Sequence, residues 1–196
     1  AIMDSTYITA VRTGLGAALA TDILARPDAT DVAVIGAGVQ GMFQLRYLTM
    51  LRKIKRVNVY DISSDQARIY SERMGDELGL AITPCTKLDA AVKDADIVLT
   101  ATWSIEPFLF PGMVKPGCHI TTLGADQPGE AEVSPELIQQ AFFVCDDRDL
   151  AVAMGAIGGA GLSKDWIDAE LGEIIAGIWL GRLDARQITI YGAVGV

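Results

Sequence analysis

Val32-Ala33-Val34-Ile35 is an apolar run without alternation, and it passes directly into Gly36-Ala37-Gly38-Val39-Gln40-Gly41. A strand that shows no alternation is one buried on both faces of a parallel sheet. After the glycines, Met42, Leu45, Leu48 and Leu51 recur at helical spacing, and Val57 to Asp61 reads as a second strand. Strand, glycine turn, helix and strand make a βαβ unit of about 30 residues. In that context Gly36 permits a tight turn out of the strand, and Gly38 lets backbone approach a pyrophosphate. Gly41 allows helix and strand to pack closely, and the first turn of the helix offers unpaired N–H groups. Asp61 closes the second strand 20 positions after Gly41, where a carboxylate can accept hydrogen bonds from the ribose hydroxyls of an adenosine. The competing reading is a turn that merely needs positive φ, followed by a surface aspartate. The ordered context favours the dinucleotide.

The choice of dinucleotide follows from charge. A 2′-phosphate would meet the Asp61 carboxylate, and Ile62-Ser63-Ser64 supplies no cation to offset it. The expected cofactor is NAD rather than NADP; Arg68 is the one nearby cation that could curl back to reverse this.

The alternation continues. Thr6 to Ala25 is helix-compatible, with Ile8, Val11, Leu15, Leu19 and Ile23 on a stripe, Thr6 available as N-cap and Pro27 ending it. Beyond Asp61 the pattern gives a helix over 64–78, a weak strand over 81–83, a short helix over 88–95 and a strand over 96–101. Strands at 119–123 and 142–145 then flank a helix over 134–140. Six strands alternating with helices imply an α/β fold with a doubly wound, mostly parallel sheet of the Rossmann type, helices on both faces. The pattern loosens over Ala151–Gly161. Ser163 is then expected to cap a helix carrying Ile167, Leu171, Ile174, Ile175 and Ile178, and Gln187–Tyr191 reads as a last strand.

Length and composition narrow the class. The chain has 196 residues, 51% hydrophobic and 21% charged, which suits one well-packed domain and neither disorder nor coiled coil. A net charge of −9 disfavours a nucleic-acid partner, and no apolar run reaches the ~18 residues of a membrane helix. The opening residues lack the features of a signal peptide, which points to a cytoplasmic setting. Cys85, Cys118 and Cys145, odd in number and widely spaced, suit reduced structural thiols rather than a disulfide framework, and no metal site is expected.

Residues that follow a parallel strand face the ligand crevice. This brings forward Thr100-Ala101-Thr102 and Gly124-Ala125-Asp126, near the nicotinamide half. Asp126 can serve as an acid or base, or simply bond its own backbone beside Pro128-Gly129. His119, the single histidine, lies within a strand and reads as structural. Trp103, Trp166 and Trp179 read as core or interface residues. Arg12 and Thr13 lie on the first helix, and by spacing alone Arg12 is a solvated or ion-paired side chain.

Four blocks together resemble the ornithine cyclodeaminase/μ-crystallin family. They are Met3-Asp4-Ser5-Thr6-Tyr7-Ile8-Thr9-Ala10-Val11-Arg12-Thr13-Gly14, the glycine block at 36–41, Asp96-Ile97-Val98-Leu99-Thr100-Ala101-Thr102, and Lys115-Pro116-Gly117-Cys118-His119-Ile120 running into Gly124-Ala125-Asp126-Gln127-Pro128-Gly129. The resemblance implies that residues 1–26 are a connecting helix, 27–185 a cofactor domain, and 186–196 a strand returning toward a substrate-binding and dimer-forming domain that this chain lacks. It implies that Arg12 binds the substrate carboxylate and approaches the cofactor, that Val194 lies at the substrate, and that Asp126 is the catalytic acid/base. The dinucleotide would be held by Arg12, Thr13, Gly36, Gly38, Val39, Gln40, Gly41, Asp61, Ile62, Ala101, Thr102, Thr122, Leu123, Gly124 and Ala125. Two positions depart from the family pattern. Glu130 stands where a Lys is frequent and Ala193 where a Ser is, and each removes a contact to cofactor or substrate.

The implied activity is NAD-dependent removal of hydride from the α-carbon of an L-amino acid, giving an imine. An ornithine cyclodeaminase would close that imine on the terminal amine, release ammonia and return the stored hydride to the cyclic imine, yielding proline. An alanine-type dehydrogenase would hydrolyse it, and an imine or ketimine reductase would run the step backwards. A non-catalytic nucleotide-binding crystallin is the alternative of another class. The partners implied are a small amino-acid or imine substrate and a second copy of the full-length chain, with neither nucleic acid nor membrane.

Overall fold

A computed structural model describes residues 5–125, 127 and 129–194. Its centre is an eight-stranded sheet, parallel at every pairing, in the order β3-β2-β1-β4-β5-β8-β6-β7. The strands are β1 (Asp31–Ile35), β2 (Arg56–Tyr60), β3 (Ile82–Cys85), β4 (Ile97–Thr100), β5 (His119–Thr122), β6 (Phe142–Cys145), β7 (Ala169–Glu170) and β8 (Thr189–Gly192). The helices are α1 (Thr6–Leu24), α2 (Val39–Leu51), α3 (Ser64–Leu78), α4 (Leu88–Val92), α5 (Pro135–Ile138), α6 (Arg148–Ala153), α7 (Gly155–Gly159) and α8 (Leu171–Ile175).

The unalternating strand residues divide between two cores. Val32, Val34, Val57, Val59, Ile97 and Leu99 pack under α1, α2 and α3, against Ala18, Leu45, Leu48, Tyr70 and Met74. Ala33, Ile35, Val98, Ile120, Phe143 and Ile190 pack on the opposite face, against Ala91, Val92, Leu137, Ile138 and Ile157 of the later helices. Neighbouring residues therefore face opposite layers, and both layers are apolar. This is why β1 reads as a continuous run.

Three local expectations are corrected. Thr6 is the first helical residue of α1 rather than its cap; Ser5 holds the cap position without a side-chain hydrogen bond. Ala151–Gly161, where the pattern loosens, holds the end of α6 and the whole of α7. Asp147 caps α6 by accepting from the N–H groups of Asp149 and Leu150, and Gly155 at φ +82° turns the chain into α7. The single helix expected after Ser163 is a 3-10 turn over Lys164–Trp166, the edge strand β7 and the short α8. Asp168 explains the break: its N–H donates to the Phe143 carbonyl (2.9 Å) and its carboxylate accepts from the Phe143 N–H (2.7 Å), which holds the chain extended beside β6. Of the expected apolar stripe, Ile167 and Leu171 are buried and Ile174 is half-buried, whereas Ile175 and Ile178 are more than half exposed.

Residues 186–194 lead into the sheet, with β8 lying between β5 and β6. The three cysteines are free thiols, two of them buried. Among the described residues no helix is long and apolar enough to cross a membrane, and no group of His, Cys, Asp and Glu is arranged to hold a metal ion.

Candidate functional site

The chain builds outward from β1 to β2 and β3, then crosses back to lay β4 on the other side of β1. The loops leaving β1 and β4 consequently diverge, and a crevice opens at the carboxyl ends of the two strands. A cleft of about 430 Å³ lies there, lined by Gly36, Gly38, Asp61 and Ile62 on one side and by Ala101, Thr102, Trp103 and Ser104 on the other, with Leu88 and Phe108 among its apolar walls.

Each glycine of the loop has a distinct reason. Gly36 sits at φ +97°, and a Cβ there would collide with the Ala101 carbonyl oxygen. A Cβ on Gly41 would strike the Gly36 carbonyl oxygen and come within 3.1 Å of Val34 Cγ1, so the start of α2 can rest on the turn only without a side chain. The Tyr70 hydroxyl, buried under α3, donates to the Gly41 carbonyl at 2.9 Å and fixes that start from the other side. A Cβ on Gly38, by contrast, would meet nothing within 4 Å. Two glycines are required by the protein's own packing, and the third borders open space at the mouth of the cleft.

Asp61 anchors the adjacent wall. Its carboxylate accepts from the Ala37 N–H at 2.8 Å and the Ser63 N–H at 2.9 Å, joining the end of β2 to the glycine turn. The group lines the cleft with lone pairs left for further donors. Ile62 is almost fully exposed, and Ser63 caps α3 by accepting from the Gln66 N–H. Arg68 is engaged by its own helix, Nη1 lying 3.0 Å from Glu72 Oε1 and Nη2 3.8 Å from Asp65 Oδ1.

Gly36, Gly38, Asp61, Ile62, Ala101 and Thr102, all expected at a cofactor site, are thus brought to one cleft. Gly41 lies behind it. Val39 is half exposed at the first turn of α2, and Gln40 beside it has a buried Oε1 without a hydrogen-bond partner among the described residues. Thr122 ends β5 and Leu123, Gly124 and Ala125 follow it; none of them is among the cleft's lining residues, and Thr122, Leu123 and Ala125 are buried. Arg12 is exposed and Thr13 half-buried on α1, also outside the lining. Val194 is buried, its N–H donating to the Asp146 carboxylate. Asp126 lies outside the described residues.

Two contributors have no counterpart in the expectations from sequence. Trp103, read as core or interface, is 82% exposed and lines the cleft; its place immediately after Thr102 was the available signal. Trp166 and Trp179 are also outside the core. Glu132 is completely buried behind Thr102 and accepts five hydrogen bonds. Nothing in its local sequence marks it, because its partners are the last residues of β4 and β5, Thr100 and Thr122, and the loop residues Thr102 and Gly124 just beyond them.

His119 is structural, as its position within β5 suggested. It is fully buried at the opposite, amino-terminal end of β5, with Nδ1 2.8 Å from Thr189 Oγ1 and Nε2 2.9 Å from Thr121 Oγ1. Burial, reinforced by the positive charges of Arg182 and Arg52, lowers its pKa to about 3.

The cleft has the elements a dinucleotide requires. An open glycine edge lies beside the helix N-terminus, a carboxylate stands next to it, and an apolar-walled space continues across the switch point. Comparison with known proteins agrees. The model of the ornithine cyclodeaminase/mu-crystallin family matches residues 1–196. The ketimine reductase mu-crystallin of Mus musculus is 34% identical over 196 residues, covering 100% of this chain and 60% of its own. An archaeal alanine dehydrogenase dimer solved with bound NAD superposes with a TM-score of 0.94 at 32% identity, covering 99% of this chain and 61% of that one. The Δ1-pyrroline-2-carboxylate reductase of Thermococcus litoralis, solved with NADH and L-proline, gives 0.93 at 33% identity, covering 98% and 61%. The chain spans about 60% of the length of these relatives. With its whole length matched by the family model and its fold superposing on solved members, the chain belongs to the ornithine cyclodeaminase/mu-crystallin family.

Proposed function

We propose that the cleft between β1 and β4 binds NAD(H) and that the whole protein uses it for hydride transfer at the α-carbon of an L-amino acid or its imine. The observation that carries this reading is the pairing of an open glycine edge at Gly38 with the Asp61 carboxylate on one wall. In this reading the pyrophosphate lies against the first turn of α2, with Val39 and Gln40 beside it, and the adenosine ribose donates to Asp61. The cofactor extends past Ala101 and Thr102 toward the Thr122–Ala125 turn. Asp61 disfavours a 2′-phosphate, and Arg68 is occupied by Asp65 and Glu72.

The nicotinamide, when bound, supplies the acceptor or donor of hydride; the protein orients it and moves protons. Arg12, an exposed guanidinium with no ion pair among the described residues, is proposed to hold the substrate carboxylate by a two-pronged contact and, with Thr13, to approach the cofactor; Val194 is proposed as a substrate contact. Asp126 is proposed to carry protons to and from the substrate nitrogen or water. Where the substrate has a terminal amine, that amine attacks the imine, ammonia leaves and the stored hydride returns to the cyclic imine. Where it has none, water hydrolyses the imine and the hydride stays on the cofactor; in reverse, the imine is reduced by hydride from NADH. The family's name and the names of the similar proteins together span these outcomes, and the proposal is the shared α-carbon chemistry, in a homodimer acting on a small substrate.

Nicotinamide absorbance followed during turnover of ornithine, alanine and cyclic imines tests this. Proline formed without net NADH marks a cyclodeaminase, and stoichiometric change in NADH a dehydrogenase or reductase. NADH binding with no turnover of any of them contradicts the enzymatic reading. Asp126→Asn should keep NADH affinity and lose at least about a hundredfold in kcat; full turnover removes Asp126 from the mechanism.

A further inference from the structure

Glu132 is a fully buried glutamate close to the cleft. The segment that carries it runs beside residues 104–109: its carbonyl accepts from the N–H groups of Phe108 and Leu109, and the Ala131 N–H donates to the Ser104 carbonyl. This fixes the side chain under the ends of β4 and β5. Oε1 accepts from the Thr102 N–H (2.7 Å) and the Thr102 hydroxyl (2.8 Å). Oε2 accepts from the hydroxyls of Thr100 (2.6 Å) and Thr122 (2.7 Å) and from the Gly124 N–H (2.9 Å). Thr100 and Thr122 are register partners on neighbouring strands, so one oxygen bridges the two strand ends. Gly124 has no room for a side chain, since a Cβ there would collide with the Thr102 carbonyl oxygen and the Glu132 carboxylate.

Two properties of this cluster exceed what clamping two loops needs. First, every partner is a neutral donor; no Lys, Arg or His forms an ion pair with Glu132 among the described residues. Buried charge is costly, and a cation is its usual compensation. Second, the carboxylate consumes the donors of the wall: the N–H groups of Thr102 and Gly124 and three hydroxyl protons all point inward at it. Thr102, which does line the cleft, spends its hydroxyl proton on Glu132 and accepts from the Ser104 N–H at 3.3 Å, so its oxygen has a lone pair rather than a proton left for a ligand. An acceptor at the cleft surface backed by a buried negative charge suits a ligand that is cationic and carries N–H donors.

On the reading that the cleft holds a dinucleotide, the adenosine end lies at Asp61 and the pyrophosphate at Gly38, which leaves the nicotinamide end at the Thr102 wall. We propose that Glu132 is a positioning residue for the nicotinamide end, acting through Thr102, and that its charge favours the positively charged oxidised ring over the neutral reduced one. The Thr102 oxygen would accept from the carboxamide N–H, and the oxidised form gains an attraction to the buried charge that the reduced form lacks.

The test measures dissociation constants of NAD+, NADH and ADP-ribose for the protein and for its Glu132→Gln and Glu132→Asp variants. ADP-ribose lacks the nicotinamide and reports the Asp61 and Gly38 half alone. Glu132→Gln is expected to raise the NAD+/NADH ratio of dissociation constants about tenfold while ADP-ribose changes less than about twofold. Glu132→Asp, which keeps the charge but shortens the reach, should weaken NAD+ and NADH together and leave their ratio near the wild-type value. An unchanged ratio in Glu132→Gln overturns the proposal, as does an equal loss for all three ligands. If the Gln variant fails to fold, the wild-type protein still decides: NADH bound more than about tenfold more tightly than NAD+ contradicts a wall that favours the cation. Wild-type protein that binds ADP-ribose but fails these criteria sinks this proposal alone; protein that binds none of the three sinks the dinucleotide reading with it.

Discussion

The Asp61 carboxylate is bound to the backbone of Ala37 at 2.8 Å, so the residue proposed to grip the ribose also fixes the turn proposed to hold the pyrophosphate. The two halves of the site are mechanically one. Removing the carboxylate should therefore loosen the turn as well as delete a ribose contact. Asp61→Ala is expected to weaken NADH binding about ten- to a hundredfold. NADPH should lose less, because a repulsion disappears along with the hydrogen bonds. Fluorescence titration with both cofactors checks this, and equal losses would contradict it.

The three glycines of the turn should separate folding from binding. At Gly38, φ is −89° and the space around a Cβ is empty, so Gly38→Ala should alter stability by no more than about 0.5 kcal/mol. It should nevertheless weaken NADH binding at least about tenfold, since the methyl group occupies the ligand's line of approach. Gly41→Ala drives a methyl group into the Gly36 carbonyl and Val34, and should cost about 1–3 kcal/mol of stability. Denaturant midpoints and NADH titrations on the same two variants are the comparison.

His119 gives the fold a pH dependence remote from the cleft. Thr189 Oγ1 donates to the Leu24 carbonyl and accepts from Arg182, which makes Nδ1 the protonated nitrogen and leaves Nε2 to accept from Thr121. With its pKa lowered from 6.5 to about 3, the ring is neutral in the fold and binds a proton more readily once unfolded. The stabilisation is complete above about pH 6.5 and is lost as pH falls toward 3, amounting to about 2 kcal/mol between pH 7 and 5. Urea unfolding at the two pH values should show that slope, and His119→Gln should flatten it.

Asp96 adds a second acid-sensitive tie at the same end of the sheet. It bonds Arg26 at 2.5 Å and Lys115 at 2.7 Å and accepts from the N–H groups of Thr30 and Asp31. Burial pushes its pKa up, but the Lys115 hydrogen bond and the two backbone donors outweigh it and hold the value at about 2. Because the folded value is depressed, the stabilisation of about 2 kcal/mol is present above about pH 5 and disappears as pH falls toward 2. Asp96→Asn should lower stability at pH 7 by at least that amount and converge with wild type near pH 2, as unfolding curves would show.

What the sequence disclosed was what neighbouring residues decide. The β1 run, the glycine turn and Asp61 lie within 30 positions, and each constraint acts along the chain, so strand, turn, helix and carboxylate were all legible. The helix expected over Ile167–Ile178 failed because Asp168 is captured by the Phe143 backbone, a partner 25 residues away that spacing does not encode. The place of β8 between β5 and β6 is likewise a long-range pairing. Glu132 was invisible for the same reason: a glutamate's burial is decided by Thr100, Thr102, Thr122 and Gly124 converging on it, and none of these marks residue 132 in advance. Residue type alone points Trp103 to a core or interface, whereas its position just beyond β4 places it at the cleft.

The central claim, that this cleft takes NAD(H) with Asp61 at the ribose, is tested most directly by the dissociation constants of NADH and NADPH for the wild-type protein at one ionic strength. The account predicts that NADH binds at least about tenfold more tightly, since a 2′-phosphate meets the Asp61 carboxylate with Arg68 already paired. Tighter binding of NADPH, or no binding of either, would contradict it.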